Sequence, residues 1–310
     1  MSTASIPDTS PSDWNRFAPA ALRHSLNEPG EHGAQAADGQ FSAAVMLADI
    51  SGYSALAALL AERGAAGAEI LSQHLNASFA IMLAEVHARG GEVERFAGDA
   101  LLATFRPATQ SLDSRGNLGH LEEAVVRARD CAQAITSRLD GRRADEVALG
   151  VHAGVAAGML HTHHAHLGAG QRAFVLAGDA LVQAATAANA APRGQVRLAP
   201  SALALLPAGV PGVAAAAVPA PAPARLTAVQ VPAALLLPYI SPVLRERLGL
   251  AALASWMAEL RRVTAVFVLH DVPQPDAAVL ARAARVLGQA VARFDGQLHE
   301  LGVNDKGLVA

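Results

Sequence analysis

The chain has 310 residues, of which 52% are hydrophobic and 16% are charged, and its formal net charge is −3. This composition predicts a folded chain of about two domains, and the absence of a long basic run argues against a nucleic-acid partner. The single cysteine, Cys131, excludes an internal disulfide and a cysteine-cluster zinc site.

Residues 1–40 are rich in Ser, Pro, Gly and Ala, and they predict a leader with a short docking helix. They carry no signal-peptide pattern, and no run of about twenty apolar residues occurs in the chain, so we expect a cytoplasmic protein without a membrane span. The apolar run Ala43–Ala48 then predicts a strand buried on both faces, which ends at Asp49. Ser54 is the expected N-cap of the following helix.

The remainder of the first domain, residues 41–207, alternates strands with helices. Helical spacing runs on to Gly90, and Gly98-Asp99 predicts a hairpin turn between two short strands. Helices are expected over 121–139 and 181–190, and strands over 147–155 and 195–198. We interpret the histidine-rich stretch His161–His166 as a solvated loop, with adventitious metal binding as the second interpretation. The pattern predicts an α/β fold of the α+β sandwich type.

Residues 208–260 form a Pro/Ala-rich linker followed by a helix, and regular patterning resumes over 261–310. The order strand, helix, hairpin occurs in both domains, which indicates an internal repeat. Gly296 precedes Asn304 by as many positions as Gly91 precedes Asp99. The second copy stops within its hairpin, so we expect the chain to be part of a longer protein.

Two aspartates stand where strands end. Asp49 follows a buried strand and Asp99 lies on a hairpin tip, and carboxylates at the ends of neighbouring strands, about 5 Å apart, can share one cation. Hard oxygen donors of this kind suit Mg²⁺ that also holds phosphates. Backbone N–H groups of Ser51, Gly52, Tyr53 and Ser54, at a helix start, would bind those phosphates. Taken alone, each aspartate is equally typical of an ordinary turn.

Both aspartates lie in longer motifs. Ala48–Leu56 (ADISGYSAL) resembles the metal-binding first strand and turn of class III adenylyl and guanylyl cyclases, and Gly90–Phe105 (GGEVERFAGDALLATF) resembles their second metal hairpin. Val147–Gly158 and Gly178-Asp179-Ala180 extend the resemblance over most of residues 41–205. Residues 259–268, the triplet 305–307 and the leader resemble the soluble adenylyl cyclase subgroup.

The resemblance implies a central, mostly antiparallel sheet with flanking helices, and an active site formed where two such domains meet. Asp49, Asp99 and the main-chain carbonyl of Ile50 would carry two Mg²⁺ or Mn²⁺ ions. With them, the 3′-hydroxyl of ATP would attack the α-phosphorus in line, giving cyclic AMP and pyrophosphate. The alternatives are a guanylyl cyclase acting on GTP, or a non-catalytic module that senses a nucleotide or an anion. A phosphatase is a remote further alternative.

This chain departs from the family pattern in both domains. The transition-state Asn and Arg of self-pairing cyclases fall where Val182 and Thr186 stand, and neither can donate charged hydrogen bonds. In the second domain we align Leu269 with Asp49 and Asn304 with Asp99, so that domain is expected to be metal-free. The chain would then hold the metal half of a site, and we expect little or no turnover from it alone.

Two further residues bear on regulation and base choice. Arg95 matches a lysine that holds bicarbonate in the soluble subgroup, so a small anion is a candidate ligand, although the family's second anion-holding arginine falls at Ala185. Arg95 as a solvated strand-end charge is the equal alternative. Glu300 falls where guanylyl cyclases have a base-reading glutamate, and it is the expected base-recognition residue.

Overall fold

The structure, a computed structural model, describes residues 14–27, 37–107, 121–207, 229–249, 264–272, 275–294, 296–304 and 307–310. These residues divide into two compact units. The first unit lies within Gln40–Leu160 and Gly178–Thr227, and the second within Met1–Gly39, His161–Ala177 and Ala228–Ala310.

Strands and helices alternate along the chain. The strands are β1 (Gly39–Ser51), β2 (Glu92–Ala97), β3 (Ala100–Phe105), β4 (Arg142–Ala144), β5 (Val147–Gly168), β6 (Gln171–Ala177), β7 (Val196–Leu198), β8 (Leu269–His270), β9 (Gly302–Asn304) and β10 (Gly307–Val309). The helices are α1 (Ala20–Asn27), α2 (Tyr53–Ala61), α3 (Gly64–Ala88), α4 (Leu121–Leu139), α5 (Asp179–Asn189), α6 (Pro200–Leu203), α7 (Ala233–Leu236), α8 (Pro242–Gly249) and α9 (Ala277–Arg293). Two short 3₁₀ helices cover Asn15–Phe17 and Leu237–Tyr239.

The sheet of the first unit is mostly antiparallel. Its strand order is β2-β3-β1-β5-β4, and β7 pairs in parallel with β5. The pairs β1–β3, β2–β3 and β4–β5 are antiparallel. The predicted mixed α/β fold, with a mostly antiparallel sheet and flanking helices, is confirmed.

Strand β1 lies inside the core of the first unit. Val45 and Met46 point to opposite faces of the sheet, and both are fully buried. Apolar side chains of α3 and α4, among them Met82 and Ile135, share one cluster with Met46. An apolar run without alternation is typical of a strand that is covered on both faces. This burial fixes the strand whose end carries Asp49.

The second unit has a smaller sheet of order β8-β10-β9, in which both pairs are antiparallel. Asp276 is the N-cap of helix α9, and its carboxylate accepts a hydrogen bond of 2.8 Å from the Val279 N–H. Leu280 on α9 packs with Leu308 and with Val175 of β6. The apolar stretch 263–269 has the composition of the first strand of the repeat, but within residues 264–270 only Leu269–His270 has strand structure. The large apolar side chains of residues 266–269 are exposed.

A second core of this unit involves the leader. Trp14 and Leu22 are buried against Leu236 and Ile240. The Asn15 side chain also donates to the Val231 carbonyl at 3.0 Å and accepts from the Val231 N–H at 2.9 Å. Part of the predicted Pro/Ala-rich connector is therefore core; its residues 208–228 and the predicted helical residues 250–260 lie outside the described part of the chain.

Two local predictions were wrong. The N-cap position of α2 is Gly52, with φ of 92°, and Ser54 lies exposed inside the first helical turn. Residues His161–His166 are not a loop, because β5 continues through them to Gly168 and pairs antiparallel with β6. Their side chains find polar partners there: His163 Nδ1 contacts the Asp38 carboxylate at 2.9 Å.

The alignment of the two copies also needs correction. Ala97 pairs with Ala100 across the first hairpin, and Asn304 pairs with Gly307 across the second, so Asn304 takes the place of Ala97 rather than of Asp99. Asp49 lies opposite Ala100, and the corresponding position opposite Gly307 falls to Asp271, because His270 pairs with Leu308. Leu269 therefore corresponds to Leu47. Residues 305 and 306, which follow Asn304, lie outside the described residues.

Candidate functional site

The pairing of β1 with β3 brings Asp49 and Asp99 to one end of the sheet. Asp49 lies opposite Ala100, the residue that follows Asp99. The hairpin turns at Gly98, whose φ of 64° is a left-handed conformation that glycine adopts without strain. Burial and, second, the nearby Asp99 raise the pKa of Asp49 above its ordinary value. Asp99 is thus close enough to Asp49 to make its ionisation less favourable.

Arginine 127 on α4 holds the base of the hairpin that carries Asp99. Its guanidinium donates to the carbonyls of Arg89 and Gly90, just before β2, at 3.3 and 3.1 Å. It also donates to the carbonyl of Arg106, just after β3, at 2.6 Å. Both ends of the hairpin are therefore tied to one helix, which fixes the direction in which the tip projects.

Gly52 shapes the turn between β1 and α2. Besides its positive φ, a β-carbon at this position would lie 2.8 Å from the Ala148 carbonyl oxygen, so a larger residue would displace the backbone. The Gly52 carbonyl accepts from the Leu56 N–H at 3.0 Å and begins the helix. The cap makes no side-chain hydrogen bond, which leaves the first N–H groups of α2 without a side-chain partner from the N-cap residue.

Tyr53 is the first residue of α2, and its phenol is also affected by the charge of Asp99. Burial and, second, Asp99 raise the pKa of the Tyr53 phenol above its ordinary value. Ser51 and Gly52 are half-buried, whereas Ser54 is exposed. The segment predicted to bind phosphates therefore borders the carboxylate pair.

A residue that sequence reasoning missed, His152, lies on the other side of Asp49. It belongs to β5, the neighbour of β1 on the side away from β3. His152 Nε2 lies 3.5 Å from Asp49 Oδ2, and Nδ1 lies 2.8 Å from the Ser51 hydroxyl. The sequence gives no direct signal of this contact, because His152 is one polar residue inside an apolar strand and its partners come from another strand.

The donor set fits a divalent cation of the Mg²⁺ type. Asp49 and Asp99 offer hard carboxylate oxygens, and the nearby Asp99 makes ionisation of Asp49 less favourable, a penalty that a bound cation offsets. Among the residues that the structure describes, no group of three or more His, Cys, Asp or Glu side chains could hold a metal. A cation here would therefore need further oxygen ligands, such as the Ile50 carbonyl, water or phosphate.

The predicted regulatory residue lies on β2, and the predicted base-reading residue lies in the second unit. Arg95 is half-buried on β2, next to a bulge between Val93 and Arg95. The bulge turns Glu94 into the core, where its carboxylate accepts a hydrogen bond of 2.6 Å from the Thr104 hydroxyl. Glu300 belongs to the second unit, where it is exposed.

The positions that would supply a transition-state clamp lie on α5 of the first unit. The Thr186 hydroxyl donates to the Val182 carbonyl at 2.9 Å, one turn earlier in the helix. A threonine bonded in this way is an ordinary helical residue. Ala185, between them, has no polar side-chain atom.

No family model matches the chain, and no curated protein matches it. The solved structures that it is similar to include adenylyl and guanylyl cyclase domains. The adenylyl cyclase CyaB from P. aeruginosa is 19% identical, over 55% of this chain and 82% of that one, with a TM-score of 0.42. The guanylate cyclase domain of RhGC from Catenaria anguillulae, in complex with GTP, is 17% identical over 54% and 83%, with a TM-score of 0.41.

A bacterial light-regulated adenylyl cyclase is 18% identical, over 64% of this chain and 54% of that one, with a TM-score of 0.46.

None of the helices within the described residues is both long enough and apolar enough to cross a membrane.

Proposed function

We propose that the first unit is the metal-binding half of a class III nucleotide cyclase site, with ATP as its substrate and cyclic AMP as the product. The observation that carries this proposal is the placement of Asp49 opposite Ala100, which brings it beside Asp99 at the ends of two paired strands. The motifs around both aspartates, quoted above, support the same function.

In this proposal Asp49, Asp99 and the Ile50 carbonyl hold two Mg²⁺ or Mn²⁺ ions. When bound, the ions activate the 3′-hydroxyl and stabilise the charge that develops as pyrophosphate leaves. The chain's own residues supply the rest of this half. Backbone N–H groups at the start of α2 bind phosphate oxygens. Gly52 lets the turn that carries them pack closely against the Ala148 carbonyl.

The transition-state donors are not on α5, since Val182 and Thr186 cannot provide charged hydrogen bonds. We therefore propose that another cyclase-like domain supplies them, with residues 261–310 as the start of such a domain. In this proposal the second unit holds no metal, because Asp271, at the register position of Asp49, is exposed. Glu300, two residues before the register position of Arg95, contributes to reading the base. The chain of 310 residues should turn over slowly or not at all.

Binding of nucleotide tests this proposal without requiring turnover. Titration calorimetry would measure binding of non-hydrolysable ATP and GTP analogues to the chain, with Mn²⁺ and with EDTA. We expect Mn²⁺-dependent binding in the wild type, tighter for the ATP analogue, and its loss in Asp99→Asn. The exposed strand residue His161, replaced by alanine, serves as the matched control that binds normally.

The alternatives predict different outcomes. Tighter binding of the GTP analogue, lost in Glu300→Lys, would favour the guanylyl cyclase. Nucleotide binding that ignores both EDTA and Asp99→Asn would overturn the proposal in favour of the sensing module, which the side chains at Val182, Ala185 and Thr186 already permit. Bicarbonate, the anion expected at Arg95, would be added in a parallel titration with Arg95→Ala.

A further inference from the structure

His152 connects the metal-binding end of β1 to its neighbour β5. Its Nδ1 atom is 2.8 Å from the Ser51 hydroxyl, and its Nε2 atom is 3.5 Å from Asp49 Oδ2. The imidazole thus touches the side chains on both sides of Ile50, whose carbonyl is the third oxygen proposed for the metal site.

The chemistry of these partners favours one arrangement of protons in the neutral ring. A carboxylate only accepts hydrogen bonds, so the nitrogen that faces Asp49, Nε2, carries the proton. Nδ1 then has a free lone pair. The Ser51 hydroxyl donates to Nδ1, and the N–H of Nε2 faces the Asp49 carboxylate at an ion-pair distance of 3.5 Å.

Asp49 has room to turn, because 33% of its side-chain surface is exposed. On one side of the Asp49 carboxylate, the Asp99 carboxylate repels it. On the other side, His152 attracts it. A carboxylate that is held by a neighbouring imidazole loses less rotational freedom when a cation binds. Partners of this kind, one bond removed from the metal, typically change metal affinity by about 10- to 100-fold.

We propose that His152 is a positioning residue, which orients the Asp49 carboxylate toward the divalent cation and ties its direction to Ser51. This inference rests on the proposed function, since it concerns the same cation site. It assigns His152 no direct bond to the metal. It also gives the Ser51 side chain a role apart from phosphate binding, which falls to the backbone.

The test measures Mn²⁺ binding to the full chain by counting free Mn²⁺ in electron paramagnetic resonance titrations. We expect His152→Ala to weaken binding by about 10- to 100-fold. His152→Gln, which keeps one donor and one acceptor, should restore most of the affinity, and Ser51→Ala should weaken binding less than His152→Ala does. Control His161→Ala, on the exposed end of the same strand, should bind as the wild type does. Melting temperatures of all variants show whether a loss follows from unfolding.

Three outcomes decide the matter. If the wild type binds Mn²⁺ in an Asp99-dependent manner and His152→Ala binds equally well, the positioning role is wrong while the proposed function stands. If the wild type itself shows no Asp99-dependent binding, the proposed function fails and this inference with it. If bound Mn²⁺ shows a directly coupled ¹⁴N signal that is lost in His152→Gln, the histidine is a ligand, and the positioning role is overturned.

Discussion

The two units share a strand order but differ in how they use it. In the first unit, β3 and the middle of β1 are buried, and Asp49 has Asp99 on one side and His152 on the other. In the second, β9-β10-β8 repeats that order, yet Phe267 beside β8 is 83% exposed and Asp271, at the register position of Asp49, is exposed as well. A shared topology therefore does not by itself produce a site.

The difference lies in what stands beside the first strand. In the first unit β5 pairs along β1, covers its edge and contributes His152. This neighbour buries part of the Asp49 carboxylate, and burial is the largest cause of its raised pKa. A cation stabilises the ionised form of a half-buried carboxylate that lies beside a second one, whereas water already stabilises an exposed carboxylate.

The two units are expected to differ most in how much the loss of one leucine side chain lowers the free energy of unfolding. Leu101 of β3 is fully buried, so Leu101→Ala should lower the free energy of unfolding by about 2–5 kcal/mol. Leu269 of β8 is 57% exposed, so the same substitution there should change it by less than about 0.5 kcal/mol. Urea unfolding of both variants measures this, and equal losses would show that the strand containing Leu269 is buried in solution.

A second expected effect is acid destabilisation centred on the second unit. His164 accepts or donates hydrogen bonds with the Ser25 hydroxyl at 2.8 Å and the Tyr239 hydroxyl at 2.6 Å, and burial lowers its pKa from 6.5 to about 4. In the unfolded chain His164 is protonated below its ordinary pKa of 6.5, whereas in the folded chain it is protonated only near pH 4. Stability from this group is therefore full above pH 6.5 and is lost as the pH falls toward 4.

Hydrogen exchange of α1, referenced to an unfolded control at each pH, measures this effect. Protection should fall between pH 7 and pH 5, and the fall should be smaller in His164→Gln. His161→Gln on the same strand should behave as the wild type does. An equal fall in the protection of α1 in all three proteins would contradict the interpretation that His164 is a half-buried, neutral histidine.

The smallest expected effect concerns Asp49 in the absence of metal. Its raised pKa means that the ionised form is disfavoured in the folded chain, a cost that is fully present above the folded pKa and absent below the ordinary value of 3.8. Asp49→Asn should therefore raise the melting temperature slightly at pH 7 in EDTA, and the gain should shrink on acidification. A lower melting temperature at pH 7 would show that the carboxylate is better stabilised than this account holds.

Much of the first unit was predictable from the sequence. The apolar run before Asp49, the Gly98-Asp99 turn and the helical spacing over 121–139 each encode a local structure that the fold retains. Local signals of this kind follow from burial on both faces and from glycine conformation, which are properties of short segments.

Apart from the N-cap expected at Ser54, the predictions that failed depend on contacts between distant segments. The strand at His161–His166 has polar side chains that are satisfied by Asp38, Ser25 and Tyr239, so its sequence lacks the apolar pattern of a strand. The role of His152 depends on which strand lies beside β1. The alignment of the two copies was based on the equal spacings from Gly91 to Asp99 and from Gly296 to Asn304. The pairing across the two hairpins shows that this alignment was shifted by two residues.

If Asp49 and Asp99 share one metal site, a double-mutant cycle on Mn²⁺ affinity will detect the coupling between them. Paramagnetic resonance titrations would compare the wild type with Asp49→Asn, Asp99→Asn and the double variant. Because both carboxylates would ligate the same ions, each single change should weaken binding by more than the roughly 10- to 100-fold typical of an indirect partner. The double variant should then be little worse than either single one. Wild-type affinity in both single variants, or losses that simply add, would contradict a shared site.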